Sequence, residues 1–197
     1  TIGEIEVTEP RRLAAGENQV EWTVRVDDPD LWWPHALGAQ PLHEVAVEIT
    51  VADHDEPSHR VLRRIGLREV HLKSWILHVN GERLFLKGAN LGPTRMALGD
   101  ATPDELVRDI ALARDANLDL VRVHGHISRH ELYDAADEAG MLVWQDFPLQ
   151  WSYARSIRKQ AQRQAREAVD LLGHHPSVAI WCGHNEPFAL ENDLGEG

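Results

Sequence analysis

Near the C-terminal end of this chain, Ala179-Ile180-Trp181-Cys182-Gly183-His184-Asn185-Glu186-Pro187 sets an amide and a carboxylic acid just beyond a short apolar strand. A carboxylic acid shielded by aromatic rings can keep its proton and give it to a leaving oxygen. Trp181 and Phe188 are the rings expected to shield Glu186. Asn185, beside it, can hydrogen-bond a sugar 2-hydroxyl, a contact that strengthens in the transition state of glycosidic cleavage. That chemistry also needs a second carboxylate, about 5–5.5 Å from the first when configuration is retained. Glu191 and Glu196 do not qualify, because they follow the acid's own strand and no further strand presents them.

Other polar residues fall at equivalent places. Asn90, His124 and Asp146 each come at the C-terminal end of an apolar segment, as Glu186 does. Trp144 and Trp151 are suited to stacking on sugar faces, whereas Trp22, Trp32, Trp33 and Trp75 are expected in a core or a domain junction. Asp146 has a second possible role, as a carboxylate that orients Arg122 or His124. A rival chemistry starts from His124 and His126, whose spacing suits a metal-dependent hydrolase. Its further ligands would come from His130, Asp146 or His184. Twelve histidines in the chain make such spacing easy to reach by coincidence, so the expected site has neither metal nor cofactor.

Two rhythms position these residues. Over residues 1–72 the pattern is strands and turns: Val20–Val26 alternates apolar and polar, and Val45–Ile49 and Val61–Val70 are weaker versions. This suggests part of an antiparallel sandwich. Over residues 73–197 strands alternate with helices. A turn at Asn80-Gly81 leads to a first strand at Arg83–Gly88, followed by strands at Leu118–Val123, Met141–Trp144 and Val178–Trp181. Thr102-Pro103-Asp104-Glu105 is a capping box opening a helix with Leu106, Ile110 and Ala113 inward, and Ser128 with Glu131 suggests another. Gly140 is a left-handed stop for that second helix. A third helix carries Ile157, Ala161, Ala165, Ala168 and Leu172 on one face, and His174-His175-Pro176 ends it and aims the last strand. Near-continuous apolar strands imply parallel pairing under helices. Polar residues gathered at the strands' C-terminal ends favour a barrel over a doubly wound sheet. Four units make half of an eight-unit barrel, whose open strand edges predict self-association or a longer chain.

Composition narrows the partners. The content is that of a globular protein, 43% hydrophobic and 26% charged. A net charge of −12 without a segregated basic patch argues against nucleic acid. No apolar run is long enough to span a membrane. The N-terminus lacks the basic start and apolar stretch of a signal peptide, which favours the cytoplasm and is equally what an excised segment would show. Cys182 is the one cysteine, so an internal disulfide is excluded. An acidic surface with lysine only at Lys73, Lys87 and Lys159 suits concentrated salt and suggests a halophilic source.

At this point a resemblance becomes specific. Leu86–Asn90, Arg122-Val123, Asp137–Gly140, Trp144–Phe147, His175–Ser177 and Trp181–Glu186 occur in the order and kind found in glycoside hydrolase family 2, above all its β-mannosidase-like members. Upstream, Pro29–Pro34 and Gly66-Leu67-Arg68 resemble the end of that family's immunoglobulin-like domain. The resemblance implies part of an immunoglobulin-like sandwich over residues 1–72, then the N-terminal half of a (β/α)8 TIM barrel over residues 73–197. It implies a retaining exo-β-glycosidase acting on a carbohydrate, with Glu186 as acid/base and Asn185 on the 2-hydroxyl. Arg122 would lie near the nucleophile, and Asp146, Trp144 and His124 would line the sugar pocket. The family's nucleophile is a glutamate on the seventh barrel strand, so this chain is expected to be a fragment inactive alone; the alternative is a non-catalytic carbohydrate-binding module that keeps the half-barrel without the chemistry. His124-Gly125-His126 stands where the mannosidases usually have Trp-Gly-Gly, and Leu91-Gly92-Pro93 where a Trp often follows, so galactose, glucuronic acid and glucosamine stay open as the sugar.

Overall fold

In the computed structural model, which describes residues 2–3, 5–52, 54 and 56–187, the first regular element is an antiparallel ribbon. It pairs β1 (His43–Ile49) with β2 (His59–Ile65). The expected strand at Val20–Val26 does not form, and the run at Val61–Val70 divides between the end of β2 and the start of β3 (Val70–Lys73). Alternation marks a segment able to bury one face, but a strand also needs a hydrogen-bonded neighbour. Among the described residues none ladders with residues 20–26. Trp22, Val24 and Val26 instead border a cleft with Val45, Val47 and Ile65 on the ribbon.

A second antiparallel sheet joins β3, β4 (Ile76–Val79) and β5 (Glu82–Leu84). Its hairpins are tight: Ser74 and Trp75 have φ of 50° and 63°, Asn80 and Gly81 of 50° and 86°. Trp75 therefore stands at a hairpin tip, 92% exposed, and Trp22 is also well exposed; neither fills a core as expected. The Asn80-Gly81 turn closes this sheet and does not open the barrel. The first parallel strand comes later than Arg83, at β6 (Gly88–Leu91). Asp119, fully buried, sets that start: its carboxylate accepts the Lys87 backbone N–H at 3.1 Å and faces the Lys87 ammonium at 3.0 Å.

From β6 the order is α1 (Pro103–Asp115), β7 (Leu120–Val123), α2 (His130–Ala139), β8 (Leu142–Asp146), α3 (Arg158–Leu172) and β9 (Val178–Cys182). The four strands pair in parallel in the sequence β6-β7-β8-β9. A doubly wound sheet reverses its strand order at a switch point, and this one does not. The two faces also differ. Val121, Val123, Val143 and Val178 pack with Leu106, Ile110, Leu132 and Leu172 from the helices. Leu120 and Leu142 on the opposite face pack with Trp32, Leu77, Val79 and Leu84, so the three-stranded sheet fills the bottom of the inner side. Helices outside and side chains within describe an arc of an α/β barrel.

Helix ends follow the sequence in two of three places. Thr102 and Glu105 form the full capping box, and Gly140 takes φ 68° at the end of α2. The box expected from Ser128 and Glu131 is absent. α2 starts one residue too late for it, with Arg129 at the cap, and the Arg129 guanidinium occupies the Glu131 carboxylate. The N-terminal part is fastened to the barrel by buried polar contacts. Trp32 Nε1–H donates to the Asp137 carbonyl at 2.8 Å, and Arg68 donates to the carbonyls of Pro176 and Val178 at 2.7 and 2.8 Å. Burial lowers the Arg68 pKa from its ordinary value. His175 and Asp137, both buried, bond at 2.6 Å between the start of β9 and α2.

Candidate active site

Side chains alternate along a strand, so the inner face that buries Leu120 and Leu142 also receives Arg122 and Trp144 two residues on. The register places Asn90, Arg122 and Trp144 in one row across β6, β7 and β8. Above them, at the C-terminal ends of the strands, come His124 and Asp146.

Arg122 organises this layer. Its Nε–H and Nη2–H each donate to one oxygen of Asp146 at 2.9 Å, a bidentate fork. Nη2 also donates to Asn185 Oδ1 at 2.7 Å, and the guanidinium lies 5.1 Å from the Trp144 ring centroid. The hydrogen-bonded Asp146 carboxylate raises the Arg122 pKa above its ordinary value. Asp146 is 0% exposed, and its Oδ2 also accepts the Gly125 backbone N–H at 3.2 Å. Its carboxylate is thus bonded to Arg122, the contact that the orienting role requires.

Two loops converge on Glu186. The chain after β8 stays beside the chain after β9: Asn185 N–H donates to the Leu149 carbonyl at 2.9 Å, and Trp151 N–H donates to the Asn185 carbonyl at 3.0 Å. Asn185 is buried, and with its Oδ1 taken by Arg122 the amide NH2 is left as the group to donate. Glu186 follows in the left-handed region at φ 47°, exposed, and its Oε2 accepts Trp151 Nε1–H at 3.2 Å. The shielding expected from Trp181 is not found, because that ring stacks on Phe147 and packs against the outer core. Phe188, Glu191 and Glu196 lie outside the described residues.

The other expected residues are distributed around this centre. Asn90 is exposed on β6, Trp151 is 55% exposed, and Trp144 is half-buried with its Nε1 lacking a partner among the described residues. His124 is half-buried at the end of β7, its N–H bonded to the Leu91 carbonyl. His126 turns inward, bonds the His124 carbonyl through Nδ1 at 3.0 Å, and burial lowers its pKa from the ordinary imidazole value. The His124/His126 pair gains no third ligand among the described residues. The cluster of metal-ligating groups found there, Asp134, Asp137 and His175, belongs to the helix side, where Asp137 is already bonded to His175 and to the Ser177 N–H.

Sequence reasoning passed over two supports. Gly125, at φ 68°, lies so close to Gln150 that a Cβ would sit 2.1 Å from its Nε2; a glycine between two histidines was the available signal. Gln145, fully buried on the outer side, accepts Tyr133 O–H at 2.6 Å and donates to the His126 carbonyl at 2.8 Å, tying the β7 and β8 ends together. Burial pushes the Tyr133 hydroxyl pKa upward.

The chain is similar in sequence and fold to known proteins. Residues 70–194 match the model of the glycosyl hydrolases family 2 TIM barrel domain. Beta-mannosidase B of Emericella nidulans is 32% identical over 195 residues, covering 90% of this chain and 22% of that protein. Beta-mannosidase B of Aspergillus clavatus is 35% identical over 187 residues, covering 86% and 21%. The crystal structure of a beta-D-mannosidase from Dictyoglomus thermophilum superposes with a TM-score of 0.70 at 27% identity, covering 80% of this chain and 21% of that one. The chain thus spans about a fifth of the length of the curated relatives it matches.

Proposed function

The chain belongs to glycosyl hydrolase family 2, and from that premise we propose that it is the acid/base-bearing part of a longer retaining exo-β-glycosidase acting on β-mannosides. The observation that carries this reading is the Arg122 fork. It grips buried Asp146 on one side and Asn185 on the other, so that Asn185-Glu186 projects at the C-terminal mouth of the barrel arc. Mannose is favoured because the curated relatives named above, 32% and 35% identical, are beta-mannosidases.

In the first step Glu186 gives its proton to the glycosidic oxygen as the bond to the anomeric carbon breaks and its electron pair goes to that oxygen. A glutamate from the remaining barrel forms the new bond to the anomeric carbon. In the second step Glu186, now a carboxylate, takes a proton from water as the water displaces that glutamate. Asn185, with its Oδ1 held by Arg122, donates from its NH2 to the sugar 2-hydroxyl, a contact that tightens as positive charge builds at the anomeric centre. In this reading Asn90, His124 and the ring of Trp144, carried by β6, β7 and β8, line the sugar pocket, and Asp146 acts through Arg122.

A panel of 4-nitrophenyl β-glycosides tests the substrate on the protein that completes this barrel. The reading expects the mannoside to exceed galactoside, glucuronide and glucosaminide in kcat/KM, with the β-anomer of mannose appearing first by proton NMR. Preference for another sugar would overturn the substrate class, and an α-anomer first would overturn retention.

A further inference from the structure

Trp151 meets the Asn185-Glu186 pair twice, once at each residue. Its backbone N–H donates to the carbonyl of Asn185 at 3.0 Å, and its indole Nε1–H donates to Oε2 of the next residue, Glu186, at 3.2 Å. Both Trp151 and Glu186 adopt left-handed backbone, φ 59° and 47°, which non-glycine residues hold only when their surroundings over-determine it. The isolated parallel bridge between Gln150 and Asn185 locks the two loops in that register.

This arrangement bears on the acid because Glu186 is exposed. An exposed glutamate samples several rotamers, and few of them aim an oxygen at a fixed point. A donor on a second loop selects among them. We propose that Trp151 is a positioning residue for Glu186, its indole N–H holding Oε2 so that Oε1 is the oxygen that delivers the proton. The assignment rests on the acid/base role given to Glu186 above. It differs from the sugar-stacking role expected of Trp151 from sequence, because it depends on the indole N–H and not on the ring face.

Trp151→Phe keeps an aromatic face and removes the N–H, and Trp151→Ala removes both. In the protein that completes the barrel, each variant is assayed on methyl β-mannoside and on 2,4-dinitrophenyl β-mannoside, whose leaving group needs no proton. Misplacing the acid in Trp151→Phe should lower kcat/KM for the methyl glycoside by about 10- to 100-fold, a fraction of what general acid catalysis supplies. For the dinitrophenyl glycoside kcat/KM should change little, with kcat and KM falling together because the misplaced carboxylate also slows the second step, and KM for the methyl glycoside should hold. An equal loss on both substrates marks a merely structural role and overturns the proposal. So does a raised KM in Trp151→Ala with Trp151→Phe unchanged, the pattern of stacking. Glu186→Gln, run on the same substrates, separates the two levels. If it is selective and Trp151→Phe is not, the positioning role alone fails; if Glu186→Gln is not selective, the acid assignment fails with it. Indole nitrogen–proton NMR on this chain gives a readout without turnover. The resonance missing from Trp151→Phe should move in Glu186→Ala while the other six tryptophan resonances stay, and a stationary resonance refutes the contact.

Discussion

Removing either end of the Arg122–Asp146 pair should destabilise this chain unequally, and the inequality follows from burial. Asp146 has no exposed side-chain surface, whereas the Arg122 side chain keeps 22% of its own. Arg122→Met leaves a carboxylate buried with the Gly125 N–H as its remaining donor among the described residues, and stranding a buried charge costs about 3–5 kcal/mol. Asp146→Asn leaves a guanidinium that still donates to Asn185, still faces Trp144 and still reaches solvent. That loss resembles one charge-assisted hydrogen-bond pair, about 1.5–3 kcal/mol. For a domain of this size each kcal/mol moves the midpoint by about 2–4 °C, so Arg122→Met should melt at least ~5 °C below wild type and below Asp146→Asn. Urea unfolding followed by tryptophan fluorescence measures both, and the double variant should cost less than the sum of the singles, since the two share one interaction. The reasoning is refuted if Asp146→Asn proves the more damaging variant, or if both lose under about 1 kcal/mol.

Three further outcomes are expected. Gly125→Ala forces a Cβ at φ 68° to within 2.1 Å of Gln150 Nε2, so it should cost about 1–3 kcal/mol and disturb the loop carrying Trp151, read by melting and by the Trp151 indole resonance. Glu105, hydrogen-bonded by Arg95 and the Thr102 backbone, has its pKa lowered from 4.5 to about 2. A depressed carboxylate pKa stabilises above the unfolded value and loses that contribution as pH falls through the folded one. The melting gap between wild type and Glu105→Gln should therefore be full above pH 4.5 and shrink toward pH 2. A net charge of −12 makes self-repulsion salt-dependent, so molar potassium chloride should raise the melting midpoint, and equal midpoints with and without salt would refute that.

The barrel arc was legible because its signals are local. The Thr102 capping box, the Gly140 stop and the apolar runs that became β7, β8 and β9 need no distant partner to be recognised. Alternation at Val20–Val26 misled because a strand is a paired object, and pairing is not written in one segment. Arg83–Gly88 misled for a related reason: the Asn80-Gly81 turn was real, but it closed a hairpin sheet beneath the barrel. In the site, residue types and strand-end positions pointed to Asn185, Arg122, Asp146 and Glu186. They could not say that Arg122 spans from Asp146 to Asn185, since that depends on registers across three strands. Nor could they foresee Trp151 reaching Glu186, which requires two left-handed residues on separate loops.

The central claim is that Glu186 is the proton donor and acceptor of a glycosidase, and leaving-group dependence tests it most directly. Glu186→Gln, in the protein that completes the barrel, is assayed for kcat/KM on methyl and 2,4-dinitrophenyl β-mannosides, with sodium azide added to the second. The expected result is a loss of about 10²–10⁴ on the methyl glycoside, little loss on the dinitrophenyl glycoside, and azide-accelerated turnover giving β-mannosyl azide. Equal activity of variant and wild type on the methyl glycoside, or equal losses on both substrates without azide rescue, would contradict it.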